Sequence, residues 1–544
     1  MKTALPIALA LLAALLNVSV PASCCSNFLV TKGASADGSV MITYTCDGEF
    51  HPILRYEPAA DHGPDEYIEM KDWSGTVRGK IKQVPHTYAL VGLMNEHQLV
   101  IGETTFTGRE ELINPDGMLH YWWLMRLALQ RARTAREAIQ VMGALVDEYG
   151  YASEGESISI GDPNEAWLME IIGPGPGGKG ANWVALRVPD GYVSAHANKS
   201  RIGEFPLHDT KNCLYSPNVI SFAIEKGYYD PASGKPFDFS EAYCPADAQK
   251  LRYTETRVWS MFRRAAPSLE WPVDYHRGVK GAERYPLWIK PDRKLSRADV
   301  FAIMRDHYEG TPYDMTTGVD AGPYGTPNRF RPITWQVDSV AYTWERPIST
   351  QQTGFSFVSQ SRSWLPDAIG GVLWYGVDDT YFTCYVPLYC GITAVPESFA
   401  RGSLGEFSWN SAWWVFNFVA NFANIRYSSM KEDIQKVQRE LESTHDALQP
   451  AIERTAIELH GKNPALLEAY LTDYSTSRGE IVVKRYRELG ELLIRKYNDG
   501  YVQDENGRPQ ETGYPESWYR EVIRARPDQF RIESGDSLRT VLPY

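Results

Sequence analysis

Residues 24–47, CCSNFLVTKGASADGSVMITYTCD, constrain the chain more than any other stretch. Two runs of strand-forming residues, 26–30 and 40–45, flank Lys32-Gly33-Ala34-Ser35-Ala36-Asp37-Gly38-Ser39, which is rich in turn residues. Read as a hairpin centred near Ala36, opposite positions sum to about 72, which sets Asp47 beside Cys25. The stretch begins where an export signal ends. Lys2 is a short basic n-region, 4–16 is an apolar run too short to span a membrane, and Val20-Pro21-Ala22-Ser23-Cys24 supplies the small residues of a cleavage site. Cleavage after Cys24 makes Cys25 the first residue. Cleavage after Ala22 or Ser23 is equally allowed by size and requires later trimming. A lipid-anchored form needs an aliphatic residue three before the modified cysteine, and Pro21 stands there for Cys24. A thiol at a new N-terminus carries a nucleophile and a base on one residue, so a thiol, an amine and a carboxylate converge at one strand end.

Residues 1–24 are therefore set aside as signal peptide or propeptide, and the expected compartment is periplasmic or extracellular. About 520 residues remain, enough for one large domain with insertions or two or three smaller ones. Apolar content of 43% and charged content of 23% are those of a globular chain. The formal charge of −13 argues against nucleic acid as a partner, because phosphate binding needs basic surface. Beyond Cys24 and Cys25 there are Cys46, Cys213, Cys244, Cys384 and Cys390; Cys384 could pair with Cys390, and Cys213 with Cys244. No CxxC or HExxH occurs, so neither a protein-built zinc site nor a cofactor is expected.

Further along, 88–93 and 98–102 read as strands around Asn95-Glu96. Residues 118–149 read as two helices, the second opened by a capping box of Thr134 and Glu137. Hairpins are expected over 157–172, turning at Asp162-Pro163-Asn164, and over 183–195, turning at Pro189-Asp190-Gly191. The glycine-proline loop 173–180 lacks the spacing of a phosphate cradle. Strands, helices and strands joined by short hairpins suggest antiparallel sheet packed with helices. The middle is less regular: a short helix over 297–308 with Ser296 as N-cap, then strands over 333–344, 371–376 and 380–386. The apolar run 413–422 contains Asn417 and Asn421 and reads as a buried helix, so no transmembrane segment is expected once the signal is removed. Residues 430–497 read as mostly helical, with Ile434, Val437 and Leu441 on one face.

Several separated motifs, in order, resemble the dipeptidase family of N-terminal-nucleophile (Ntn) hydrolases. They are Cys25-Ser26-Asn27-Phe28-Leu29-Val30 with Ala36-Asp37-Gly38-Ser39, Met94-Asn95-Glu96-His97-Gln98-Leu99, Gly102-Glu103-Thr104-Thr105-Phe106, Asp162-Pro163-Asn164-Glu165-Ala166-Trp167, His196-Ala197-Asn198-Lys199-Ser200-Arg201-Ile202 and Tyr308-Glu309-Gly310-Thr311-Pro312-Tyr313-Asp314. The resemblance covers nearly all of the chain after the signal. It implies an α+β fold, a four-layer αββα sandwich in 25–427 with insertions, followed by a mainly helical C-terminal region, 428–544, packed on the core. It also implies a cysteine nucleophile and dipeptide substrates; a homo-oligomer is compatible with it. Penicillin V acylases and bile-salt hydrolases form a related group.

The chemistry can be argued from the residues. An α-amine with a pKa of about 8 and a thiol near 8.5 exchange a proton at little cost. The resulting ammonium can protonate a leaving amine, and water then hydrolyses the thioester. The alternative for Cys25 is a disulfide with Cys46 across the hairpin. Asp47 would orient the amine; where the related acylases have an arginine three residues earlier, this chain has Tyr44. Asn198 resembles an asparagine near the acylase nucleophile and would donate to an oxyanion, although Asn198-Lys199-Ser200 is also a glycosylation sequon. Arg257, within Thr254-Glu255-Thr256-Arg257-Val258-Trp259, resembles an acylase active-site arginine and could instead grip a substrate carboxylate. Thr104 is an oxyanion or substrate group by resemblance, and Glu103 or Glu170 could hold a substrate ammonium. The reading is an exported thiol dipeptidase. The alternatives are an acylase acting on a non-peptide amide of the bile-salt or penicillin V type, and an inactive surface binding protein with Cys25 locked in a disulfide.

Overall fold

In the computed structural model of the chain, residues 25–531 are described. The expected signal segment 1–24 and the last thirteen positions, 532–544, lie outside them.

Two antiparallel sheets organise the described residues. The first has seven strands in the order Trp288–Ile289, Val193–His196, Asn27–Val30, Met41–Asp47, Thr353–Gln360, Val372–Val377 and Val386–Tyr389. The second has eight, in the order Cys213–Tyr215, Asn182–Arg187, Ala166–Ile172, Gly155–Gly161, Val100–Thr107, Met94–Asn95, Leu90–Val91 and Tyr56–Glu57. The sheets meet at their central strands, where Asn27–Val30 and Met41–Asp47 touch Val100–Thr107. Glycine permits this approach: a Cβ on Gly102 would lie 2.9 Å from Tyr44 Cβ, and one on Gly161 would lie 2.7 Å from Ile42 Cγ1. Polar side chains also cross the gap. Asn27 donates to Ser159 Oγ at 3.1 Å, and His196 bridges Thr104 and Ser159 at 2.7 Å on either side.

The helices Tyr121–Arg131 and Ala135–Tyr149 pack against the second sheet. At the second helix, Thr134 Oγ1 accepts from Glu137 N, while the Glu137 carboxylate reaches back to Arg133 N at 2.8 Å. Against the first sheet pack Ala248–Ala265, Arg297–Met304, Ala412–Ala423, Tyr427–Lys462 and Pro464–Lys496. Ser296 and Asp299 form the full capping box of Arg297–Met304. The last two long helices are separated at Asn463, whose side chain caps Leu466 N while Pro464 sits where no amide donor is needed. The chain is thus α+β. Among the described residues no helix is long and apolar enough to cross a membrane.

Four expectations need correction. First, the opening hairpin pairs Leu29 with Ile42, Val30 with Met41 and Ser26 with Thr45, a register one residue shorter than expected. The cause is local: Lys32–Ala34 closes a 3₁₀ turn on Thr31 O, and Asp37 gathers Ser35 and Ser39 beyond it. Continued to the strand end, this register places Cys46, not Asp47, opposite Cys25. Second, 183–195 is not a hairpin: Asn182–Arg187 belongs to the second sheet and Val193–His196 to the first, so Pro189-Asp190-Gly191 carries the chain between sheets. Third, 380–385 is a turn followed by irregular chain and the strand is Val386–Tyr389, while 333–344 forms a separate two-stranded hairpin, Thr334–Val337 with Val340–Thr343. Fourth, Cys25, Cys46, Cys213, Cys244, Cys384 and Cys390 are all free. Cys384 and Cys390 flank Val386–Tyr389, and an extended run of that length sets their Cα atoms roughly 15 Å or more apart, beyond disulfide reach. The Cys244 thiol turns instead to the Phe106 carbonyl.

Candidate active site

Cys25 is fully buried at the start of the first strand. One arginine fixes it. Arg257, buried on the helix Ala248–Ala265, donates from Nη1 to the Cys25 carbonyl at 2.6 Å and to Ser26 Oγ at 3.0 Å. Its other terminal nitrogen donates to the Ala197 carbonyl at 3.2 Å and to Asn198 Oδ1 at 2.9 Å. Asn198 holds a left-handed backbone, φ +60°, and passes the network on by donating from Nδ2 to the Thr105 carbonyl at 2.6 Å. Thr105 Oγ1 donates to Glu156 Oε1 at 2.9 Å. Glu103, on the same strand as Thr105, accepts from Tyr44 OH at 2.5 Å and lies 3.7 Å from the Cys25 sulfur. A chain of contacts therefore runs from the Cys25 carbonyl through Arg257, Asn198, Thr105, Glu156 and Glu103 to the Cys25 thiol.

The electrostatics of this circuit are acidic. Burial pushes the Cys25 thiol well above its ordinary range, reinforced by its hydrogen bond with Cys46 and by the Glu103, Cys46 and Asp47 charges. Burial also raises Glu103, against the opposing hydrogen bonds from Glu156, Tyr44 and Cys25. Glu156 is raised well above the usual carboxylate range, by burial and then by the charge and hydrogen bond of Glu103. A cavity of about 980 Å³ opens beside these groups. Cys46, Thr105 and Glu156 line it with aromatic neighbours that include Trp122 and Phe355. Cys25 stands one contact behind that wall.

Cys25, Glu103, Asn198 and Arg257 are brought together. Asp47 is buried nearby, but its oxygens are committed: they accept from Arg346, from Thr45 Oγ1 at 3.1 Å and from Thr353 Oγ1 at 2.6 Å. It reaches Cys25 through its field, not through a hydrogen bond. The Thr104 side chain faces the other sheet and bonds His196, so its neighbour Thr105 occupies the cavity wall. Glu170 is saturated by Ser157, Ser200 and the backbone N–H groups of Arg201 and Ile202, so it does not face the cavity as an open acceptor. Arg346, from a different segment, meets Asp47, and the Tyr308 hydroxyl donates to the Arg346 carbonyl.

Sequence reading missed Arg346, Glu156 and His196. Arg346 lies in an irregular segment without a motif. Glu156 had one visible signal, a carboxylate inside an otherwise strand-forming run, GESISIG. His196 was quoted within a motif but given no role. Burial drives its pKa down to about 3, so it works as a neutral bridge between the sheets.

Residues 24–440 match the family model for peptidase family C69. A probable dipeptidase of Salmonella dublin is 28% identical over 70% of this chain and 84% of its own length. A probable dipeptidase of Latilactobacillus sakei is 26% identical over 80% and 89%. A dipeptidase of Bifidobacterium longum is 25% identical over 76% and 80%. The match begins at the residue before Cys25 and runs past the last strand of the first sheet into the helix Tyr427–Lys462, so it takes in every side chain of the circuit. The chain belongs to peptidase family C69.

Proposed function

We propose that this chain is an exported cysteine dipeptidase in which Cys25, freed of the residues before it, is an N-terminal nucleophile. The observation that carries the reading is the circuit that begins and ends on Cys25 beside a cavity of ligand size. The names of the relatives support dipeptides as substrates. Helices packed against both sheets support the four-layer αββα sandwich of the Ntn hydrolases, with the C-terminal helices as its extension.

Burial and neighbouring negative charge make a standing thiolate costly at Cys25. Its proton therefore moves to the α-amine as sulfur attacks the peptide carbonyl. The C–N bond breaks, the new ammonium gives its proton to the leaving amine, and an acyl-thioester remains on Cys25. Water, deprotonated by the same amine, hydrolyses the thioester and restores the thiol. Arg257 fixes the Cys25 carbonyl and so the aim of its side chain, and Asn198, held by Arg257, is assigned as the oxyanion donor in this reading, its Nδ2 turning from the Thr105 carbonyl.

A second reading, an acylase for a bulky non-peptide amide, draws on the size and aromatic wall of the cavity. The free thiols of Cys25 and Cys46 give no support to a disulfide-locked binding protein. A panel of unblocked dipeptides, a conjugated bile salt and penicillin V tests the choice. Dipeptides should be cut fastest. Faster turnover of either non-peptide amide would overturn the dipeptidase reading.

A further inference from the structure

Glu103 and Glu156 sit on adjacent strands, Val100–Thr107 and Gly155–Gly161. Thr105 lies opposite Glu156, and Glu103 is two residues along, so all three share one face of the sheet. Both carboxyl groups are fully buried. Each has one oxygen supplied with a donor: Glu103 Oε1 by Tyr44, and Glu156 Oε1 by Thr105. The other two, Glu103 Oε2 and Glu156 Oε2, receive no donor from any other residue, which leaves the pair only the hydrogen bond between its own carboxyl groups. Among the described residues no Lys, Arg or His forms an ion pair with either carboxylate, whereas buried Asp47 and Asp306 pair with arginines and buried Glu170, Asp378 and Asp379, which also lack an ion pair, accept from neutral donors.

Buried carboxylates without a cation or donor are unusual, because burying a charge is unfavourable unless it is paired. A proton shared between the two satisfies only part of this need. A primary ammonium satisfies all of it: it carries one positive charge and three N–H donors. The position is also chemically specific. In a dipeptide the α-nitrogen is two bonds from the scissile carbonyl carbon. Glu103 lies 3.7 Å from the sulfur that attacks that carbon, and Glu156 lines the cavity.

We infer that the Glu103–Glu156 pair is the seat of the substrate's free α-ammonium, and that Glu156 is the residue that selects unblocked peptides. This rests on the dipeptidase reading above. The bound ammonium replaces the proton that the pair shares, so binding releases a proton. The titratable groups facing the pair are Tyr44, Cys25, Cys46 and Asp47 from the opposite sheet, Tyr121 from its helix, and Tyr151 and Glu154 from the approach to the Glu156 strand.

The test separates binding from chemistry. Calorimetric titration of the processed Cys25→Ala protein with alanyl-alanine, in two buffers of different ionisation enthalpy, reads affinity and proton release together. Alanyl-alanine should bind with net proton release, and N-acetyl-alanyl-alanine at least about tenfold more weakly. Adding Glu156→Gln, which keeps the shape and the acceptor oxygen of the protonated acid, should abolish the release and weaken alanyl-alanine about tenfold or more. N-acetyl-alanyl-alanine should be unaffected. In the Cys25-containing enzyme, Glu156→Gln should raise KM for alanyl-alanine more than it lowers kcat. Equal binding and equal proton exchange with and without Glu156→Gln overturn the inference. So does an equal loss of kcat on both peptides with binding unchanged, which would assign the pair to the amine of Cys25. Hydrolysis by Cys25→Ala would overturn the proposed nucleophile, a failure separate from that of the ammonium seat, which the Glu156→Gln titrations decide.

Discussion

Arg257→Lys tests whether the guanidinium positions the nucleophile or grips the substrate. The guanidinium reaches five protein acceptors: the Cys25, Ala197 and Tyr253 carbonyls, Ser26 Oγ and Asn198 Oδ1. An ammonium is a point donor on a shorter fork and cannot span both pairs. At least two acceptors lose a charged donor, and such hydrogen bonds are each worth about 1.5–3 kcal/mol. The substitution should therefore destabilise the protein by roughly 3–6 kcal/mol, comparable to the low end of the reserve of about 5–15 kcal/mol that keeps a domain folded. Released from Arg257, Cys25 and Asn198 can shift by an ångström, a displacement that can lower turnover by about 10²-fold. Steady-state kinetics on an unblocked dipeptide, with a denaturant titration on the same sample, reads both effects. kcat should fall with KM nearly unchanged, because the guanidinium is already spent on the protein. A large rise in KM with kcat retained would show that Arg257 binds the substrate carboxylate and refute the positioning argument. An unchanged kcat would show that the network is idle.

Asp47→Asn should lower stability by about 3 kcal/mol or more, because it takes the carboxylate away from buried Arg346; a urea midpoint equal to that of the parent would contradict this. That outcome differs from the purely catalytic effect expected if Asp47 faced the amine. Glu156→Gln should change the pH dependence of stability. Because burial raises Glu156 in the folded state above its ordinary value of 4.5, its contribution is present at low pH and is lost as pH rises through the folded pKa. The melting temperature of Glu156→Gln relative to the parent should therefore climb as the pH rises above 4.5, and a constant offset would refute the assignment. His196 is held neutral, with a folded pKa of about 3 against 6.5, so its contribution is present above 6.5 and is lost as pH falls towards 3. His196→Asn should accordingly be less acid-sensitive than the parent in that window, measured by thermal scans.

Much of the frame was legible because it follows from local pattern. The helices Tyr121–Arg131 and Ala135–Tyr149 bury regular apolar faces, and the turn at Asp162 ties down its own amides at Asn164 and Glu165. The helix carrying Arg257 was not legible, because its buried face includes Thr254, Glu255, Arg257 and Ser260 and so breaks the apolar period. Thr353–Gln360 was missed for a similar reason: it is buried throughout, yet Ser356, Ser359 and Gln360 make it read as polar. The Pro189-Asp190-Gly191 turn has the chemistry of a hairpin, and only tertiary pairing shows that it joins two sheets. At the site, Cys25, Glu103, Asn198 and Arg257 could be named from motifs. Glu156 and Arg346 could not, because their importance lies in which buried partner they meet, or fail to meet, across the fold.

The central claim is that Cys25 acts with its own free amine. It is tested most directly by comparing two preparations on one dipeptide: a form whose first residue is Cys25, verified by mass spectrometry, and a form with one additional, irremovable residue before it. With that residue attached, the nitrogen of Cys25 is an amide without basicity near neutral pH, so the thiol, pushed up by burial, loses the base that this mechanism assigns to it. The account predicts full activity in the first form and a loss of about 10²-fold or more in the second. Equal activity in the two forms would contradict it.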